Sequence, residues 1–394
     1  QSQRVSQIIE SPIRKFLPLV NEAEAKGIKV YKLNVGDPDI APASVFYDRL
    51  RAYPEGTLKY APSSGIPEHV GAWQKYFENF GVNINKKNII PTVGCAEAIM
   101  FSLIAVADPG DEIIVFEPIY ASYKGLAVEF GIKLVPVTLR LHDNFRLPSN
   151  EEIQKKINKK TKAIILIQPN NPTGSLISAE EQNRLAELVV KNDLYLISDE
   201  TYREIIFKGE PSCMLNIPSA KENVIVIDSA SKRFSCPGAR IGCIPRHKER
   251  LIKSILRLAM LRLSEPTLEQ YALIPLLLDS ESYTKNLTAE YLKRRDAAVE
   301  VLKTIPGIEF FCPEGTFYMM ISLPIKNSDD FVKFLIKDFT YAKETVLVTP
   351  AEDFYITPGL GVNEIRLAFV LNVQDIKKSL QIFKKGLEAY LLKA

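Results

Sequence analysis

Residues 224–234 read Val-Ile-Val-Ile-Asp-Ser-Ala-Ser-Lys-Arg-Phe, and Gly238-Ala239-Arg240-Ile241-Gly242 follows closely. The apolar run 224–227 has the length and β-branched content of a buried strand. Lys232 then falls just past the carboxyl end of that strand, the edge at which open α/β sheets bind ligands. A lysine amine that is desolvated, or set beside other cations, loses its proton near neutral pH and attacks carbonyl carbon. Hydroxyls flank Lys232 at Ser229 and Ser231, and a guanidinium follows at Arg240. An exposed loop lysine beside a structural arginine fits the same letters, so the remaining chain has to decide.

The chain has 394 residues, enough for two domains with a large core. Its 46% hydrophobic and 25% charged residues are ordinary for a globular enzyme. A net charge of +3 points to neither nucleic acid nor membrane. Five scattered cysteines and three histidines form no metal-ligand spacing, so no metal and no disulfide framework is expected. No apolar run approaches the roughly 18 residues of a transmembrane helix. The first residues lack the apolar core of a signal peptide. The expectation is a cytoplasmic protein.

Going along the chain, a short amphipathic helix is expected near 12–26 and a strand at 30–35. A helix should start near Pro67. Between 89 and 227, apolar strand candidates lie at 89–90, 112–116, 134–137, 163–167, 194–197 and 224–227. Helical patterns at 97–106, 120–130 and 179–191 separate most of them. Such alternation predicts a mostly parallel sheet covered by helices on both faces. From 246 to about 304 the pattern is mainly helical. A mixed tail follows, with strands at 317–322 and 364–369 and a last helix near 374–392. The fold expected is α/β: a large domain over 45–290, and a smaller discontinuous α+β domain from 1–44 and 291–394.

Several short stretches along this frame carry polar chemistry. They are Gly36-Asp37-Pro38, Lys59-Tyr60-Ala61-Pro62, Thr92-Val93-Gly94-Cys95-Ala96-Glu97 and Glu117-Pro118-Ile119-Tyr120. Asn170-Asn171-Pro172-Thr173-Gly174, Ser198-Asp199-Glu200-Thr201-Tyr202 and Glu364-Ile365-Arg366-Leu367 follow. Singly, each has a plain structural role as a turn, a core aromatic, a helix cap or an outward charge. In this order and spacing, together with the Lys232 stretch, they resemble the fold-type I pyridoxal-phosphate enzymes, specifically the class I/II aminotransferases. The resemblance runs from about residue 30 to the C-terminus.

That resemblance implies the cofactor pyridoxal 5'-phosphate, with Lys232 as its Schiff-base lysine and proton carrier. It implies a phosphate held by backbone N–H groups at Gly94, Cys95 and Ala96, by Ser229 and by Arg240. Tyr120 would stack on the ring, Asp199 would pair with the ring nitrogen, and Tyr202 and Asn171 would reach the ring oxygen. Arg366 would hold the substrate α-carboxylate, with Asn171 and the Gly36 backbone beside it. Tyr60 would reach the phosphate of a partner subunit, so the resemblance implies a homodimer with shared sites. Amino acids and 2-oxo acids are then the substrates, exchanged in ping-pong order.

Two departures stand out. Many members carry a Pro-Gly-Ser-x-Phe-Gly segment where this chain has Pro350-Ala351-Glu352-Asp353-Phe354-Tyr355. Some aspartate-specific members carry a lysine in the phosphate turn, where this chain has Ala96 beside Glu97. Arg257 and Arg262 lie near the place of a side-chain-binding arginine, yet both fit solvated helix faces. A β-eliminating C–S lyase on the same scaffold is the enzymatic alternative. A cofactor-binding regulatory protein is a further one, and it needs a DNA-binding segment that this chain is not expected to have.

Overall fold

The strand at Val224–Ser229 is buried along its whole length in the computed structural model, which describes residues 2–8, 10–54 and 56–393. It lies inside a seven-stranded sheet. The sheet order, by range, is Ile89–Val93, Ile241–Pro245, Val224–Ser229, Tyr195–Asp199, Thr161–Ile167, Glu112–Glu117 and Lys133–Thr138. All neighbours are parallel except Ile241–Pro245, which runs antiparallel to both of its partners. Apolar clusters cover the two faces, one around Trp73 and Leu196, the other around Ile99 and Ile225. Because both faces are covered, the central strands are continuous apolar runs rather than alternating ones.

Helices separate the parallel strands as the sequence pattern predicts. Ala179–Lys191 starts on a capping box, with Ser178 and Glu181 each satisfying the other's backbone N–H. The helix expected from residue 12 begins only at Leu17. Pro18 explains the later start, since proline fits the first turn of a helix and breaks its interior. The antiparallel strand Ile241–Pro245 was not foreseen. It is short, holds a glycine and a proline, and owes its existence to the two strands it lies between.

The remaining elements form two small sheets. Thr349–Pro350, Glu364–Ala368, Tyr318–Ser322 and Glu309–Phe310 make an antiparallel four-stranded sheet. Lys29–Lys32 pairs in parallel with Glu344–Leu347, so the N-terminal segment is bonded to the C-terminal one. A third apolar cluster, around Phe317, Leu335 and Phe383, holds these parts together. The helix Ser328–Lys337 and the strand Glu344–Leu347 also went unread in the sequence.

Among the described residues, no helix is long and apolar enough to cross a membrane.

Candidate active site

Three strands end at the carboxyl edge of the large sheet. Tyr195–Asp199 delivers Asp199, Val224–Ser229 delivers Ser229, and Ile89–Val93 delivers Gly94. Ile241–Pro245 sits between the last two, with Gly242 opposite both Ser229 and Thr92. A Cβ on Gly242 would lie 2.7 Å from the Asp228 carbonyl oxygen and 2.8 Å from the Gly94 carbonyl carbon. Only glycine permits that approach.

Gly94, at φ +67°, opens the helix Gly94–Val106. A Cβ there would meet the Arg240 guanidinium at 2.7 Å, so cation and helix N-terminus face each other across the missing side chain. Arg240, itself in the left-handed region at φ 55°, donates Nη1 to the Pro237 carbonyl and is otherwise exposed. Cation and helix N-terminus together suit a phosphate-sized anion. Cys95 is partly buried and Ala96 exposed. The Ser229 hydroxyl, expected to reach the phosphate, is already engaged within the chain. It is fully buried, caps the short helix Ala230–Arg233, and hydrogen-bonds Ser231 Oγ at 2.7 Å and the Ile241 carbonyl at 3.1 Å.

Asp199 is buried, and burial raises its carboxyl pKa above the usual value. The Thr201 hydroxyl and N–H, and then Tyr123 Oη at 2.9 Å, act against that rise. Cys95 Sγ lies 3.6 Å from Asp199 Oδ2. Tyr123 was missed as a site residue. Its only signal was the helical spacing of three from Tyr120.

Lys232 donates Nζ to the Gly36 carbonyl at 2.8 Å. Burial lowers its pKa to about 8. The nearby Asp37 carboxylate opposes that shift, while Arg366 and Arg240 add to it. Arg366 is 0% exposed, opposite to an outward-facing charge on a strand. It donates Nη1 to Asn171 Oδ1 at 3.1 Å and Nη2 to the Asn34 carbonyl at 2.6 Å. Its Nε has no partner, and no carboxylate among the described residues pairs with it. Tyr120 lies close enough to Tyr202 and Arg366 to act on both electrostatically. Tyr202 shares a hydrogen bond with Tyr318 at 3.2 Å, and Tyr318 too went unread.

Two expected residues lie elsewhere. Tyr60 is 81% exposed. Its loop is tied down by Thr267, which bonds the Lys59 carbonyl and the Ala61 N–H. Arg262, read as a solvated helix face, is instead enclosed against the phosphate turn. Its Nε is 3.3 Å from Glu97 Oε1, and Nη2 donates to the Pro91 carbonyl. Arg257 is exposed, as such a face requires.

Beneath the cleft lies a fully enclosed ionic cluster. Arg203 bonds Glu200 at 2.6 Å and Asp228 at 2.7 Å. Arg233 bonds Asp228, and Glu204 at 3.2 Å. Tyr76 donates to Glu204 at 2.7 Å. Burial pushes Asp228 up to about 8 and Glu204 up to about 7.

The family described as aminotransferase class I and II matches residues 28–383. A probable aspartate/prephenate aminotransferase of Aquifex aeolicus is 30% identical, the alignment covering 98% of each chain. An aspartate aminotransferase of Pyrococcus horikoshii is also 30% identical, over 98% of this chain and 97% of that one. Among solved structures, a Thermus thermophilus aspartate aminotransferase mutant superposes with a TM-score of 0.90 at 27% identity, covering 98% of this chain and 99% of that one. An alanine aminotransferase of Pyrococcus furiosus gives a TM-score of 0.90 at 30% identity, covering 99% of this chain and all of that one.

Proposed function

The chain belongs to the class I and II aminotransferases, and from that premise we propose that it carries pyridoxal 5'-phosphate on Lys232 and works as a homodimer. Its reaction moves an amino group between an amino acid and a 2-oxo acid. The names of the relatives above differ in substrate, aspartate or prephenate in some and alanine in another, so the substrate is proposed only as an amino acid and a 2-oxo acid. The observation that carries the reading is Arg366: a buried guanidinium with an orphan Nε and no carboxylate partner among the described residues. A buried cation without a counter-ion is costly, and a substrate carboxylate is a bidentate match for it.

The residues fit the cofactor. The facing of Gly94 and Arg240 leaves a cradle for phosphate that any Cβ would fill. Asp199, a buried carboxylate, is a counter-charge for a protonated ring nitrogen. Asn171 accepts from Arg366 through Oδ1, which leaves its amide N–H groups as donors that, with Tyr202, would serve the ring oxygen. When bound, pyridoxal phosphate supplies an electron sink for the charge left at the substrate Cα. Lys232, whose pKa burial lowers to about 8, would take the proton from the substrate Cα and return it to the cofactor's aldehyde carbon. Gly36, Asn171 and Arg366 would bind the substrate beside that amine, since Lys232 bonds the Gly36 carbonyl and Arg366 bonds Asn171.

Exposed apolar side chains support the dimer. Leu58 and Tyr60 on one loop, and Met260, Leu261 and Leu263 near Thr267, all stand more than half exposed. Such a patch marks a contact surface. Tyr60 on that surface would complete the partner's phosphate site. We also propose the division into a large domain, 45–290, and a small one from 1–44 and 291–394, with a cytoplasmic location.

A spectral screen tests the reading. Each amino acid is added to the purified yellow protein, and conversion to the pyridoxamine form is followed. Pyruvate and ammonia released without an oxo acid acceptor would instead favour the lyase. Tyr60→Phe tests the shared site. One hydrogen bond to a charged phosphate is worth roughly 1.5–3 kcal/mol, so cofactor affinity should fall about ten- to a hundredfold. Unchanged affinity would remove Tyr60 from the site.

A further inference from the structure

Tyr318 begins the strand Tyr318–Ser322, is 3% exposed, and lies against Tyr202, Arg366 and Gly36. Its partner across the ladder is Ala368, and Met320 faces Arg366, so Tyr318 and Arg366 are diagonal neighbours on one face of the small sheet. The Arg366 guanidinium carbon stands 4.3 Å from the Tyr318 ring centroid. The hydroxyl accepts from Tyr202 Oη at 3.2 Å, and only a reversal of that bond frees the Tyr202 proton for another acceptor. That same hydroxyl occupies the space where a Cβ on Gly36 would be, and the Gly36 carbonyl accepts from Lys232.

We propose that Tyr318 is a positioning residue of the amino-transfer site: its hydroxyl directs the proton of Tyr202, and its ring seats Arg366. The first half rests on the role proposed above for Tyr202. A phenol carries one proton. When Tyr202 gives its proton to the cofactor's ring oxygen, its bond to Tyr318 survives only with Tyr318 as the donor. Burial raises the pKa of Tyr318, which keeps that proton in place. Hydrogen bonds in a chain polarise one another, so a Tyr202 that accepts from Tyr318 donates more strongly. The second half is electrostatic: the aromatic face attracts the guanidinium and holds it toward Asn171 and the Asn34 carbonyl.

The two halves separate by substitution in the holoenzyme. A donor to the ring oxygen weakens the grip of the neighbouring nitrogen on its proton. Tyr318→Phe keeps the ring and loses the donor. The pH midpoint of the bound cofactor's absorption change should move up by roughly 0.3–0.7. Its kcat should fall by roughly two- to tenfold, while KM for the amino acid stays within about twofold. Tyr318→Leu removes the ring as well, and KM should then rise by roughly fivefold or more. In a Tyr202→Phe background, Tyr318→Phe should cause no further spectral shift. An equal shift in both backgrounds, or none in Tyr318→Phe alone while Tyr202→Phe moves the midpoint, overturns the directing role. A KM for Tyr318→Leu equal to that of Tyr318→Phe overturns the seating role. If Tyr202→Phe leaves the midpoint in place, the role given to Tyr202 fails and takes the directing role with it.

Discussion

Along the same strand ends, polar residues stand in neighbouring positions and meet opposite treatment. Asp199 precedes Glu200, Asp228 precedes Ser229, and Lys232 precedes Arg233. Asp199, Ser229 and Lys232 belong to the cleft. Glu200, Asp228 and Arg233 turn to the cluster beneath it, where three carboxylates, counting Glu204, meet two guanidiniums, Arg203 and Arg233. The raised pKa values of Asp228 and Glu204 let one proton balance that cluster. In the cleft, among the described residues, Lys232 hydrogen-bonds only a carbonyl and no carboxylate pairs with Arg366. The cluster is closed electrostatically and welds the strand ends. The cleft is left open for a ligand's charges to complete.

The sharpest break in the comparison is Lys232→Ala. Transamination should fall by at least about 10⁴-fold, since nucleophile and proton carrier vanish together. The melting temperature of the cofactor-free protein should hold or rise, because a buried amine leaves. Turnover near the wild-type rate would rule out the mechanism.

Arg233→Ala, one residue on, should do the reverse. It leaves Glu204 without its ion-pair partner and Asp228 with Arg203 alone, at a cost of roughly 3–5 kcal/mol. Urea unfolding should show an early midpoint, with activity lost only as structure is lost. A variant as stable as wild type would mean the cluster welds nothing.

Asp199→Ala returns to the cleft. Removing a preorganised charge from the ring nitrogen should cost roughly 3 kcal/mol of transition-state stabilisation, with folding intact. A defect confined to cofactor affinity, with normal kcat at saturation, would contradict the assignment.

The smallest effect sharpens the contrast through pH. The folded pKa of Lys232 is about 8, below the ordinary lysine value of 10.5. Between these values the unfolded chain binds more protons than the folded one, so this lysine's contribution to stability rises with pH across that window. Below about pH 8 it is a constant penalty. The difference in unfolding free energy between cofactor-free wild type and Lys232→Ala should therefore shift in favour of wild type from pH 8 toward 10.5. A difference that stays flat would mean the amine is solvated.

Much of the large sheet was legible because its strands are buried on both faces, and such strands are written as runs of Ile, Val and Leu. The helix Ala179–Lys191 was read to the residue because its capping box is local. The polar motifs could be read because Asp199, Lys232 and Arg366 keep a distinctive order along the chain. What stayed hidden depends on contacts between distant residues. The antiparallel strand Ile241–Pro245 exists because Ile89–Val93 and Val224–Ser229 leave a gap of one strand between them. Arg262 reads as a surface charge until Glu97 is folded against it, 165 positions away in sequence. Sequence alone determined which residues carry charge and which segments are apolar enough to be buried, since both are properties of local composition. Only the tertiary structure decided which charges neutralise one another and which are left facing a cleft. Tyr123 and Tyr318 joined the site in the same way, because a hydrogen bond is settled by a few ångströms in space.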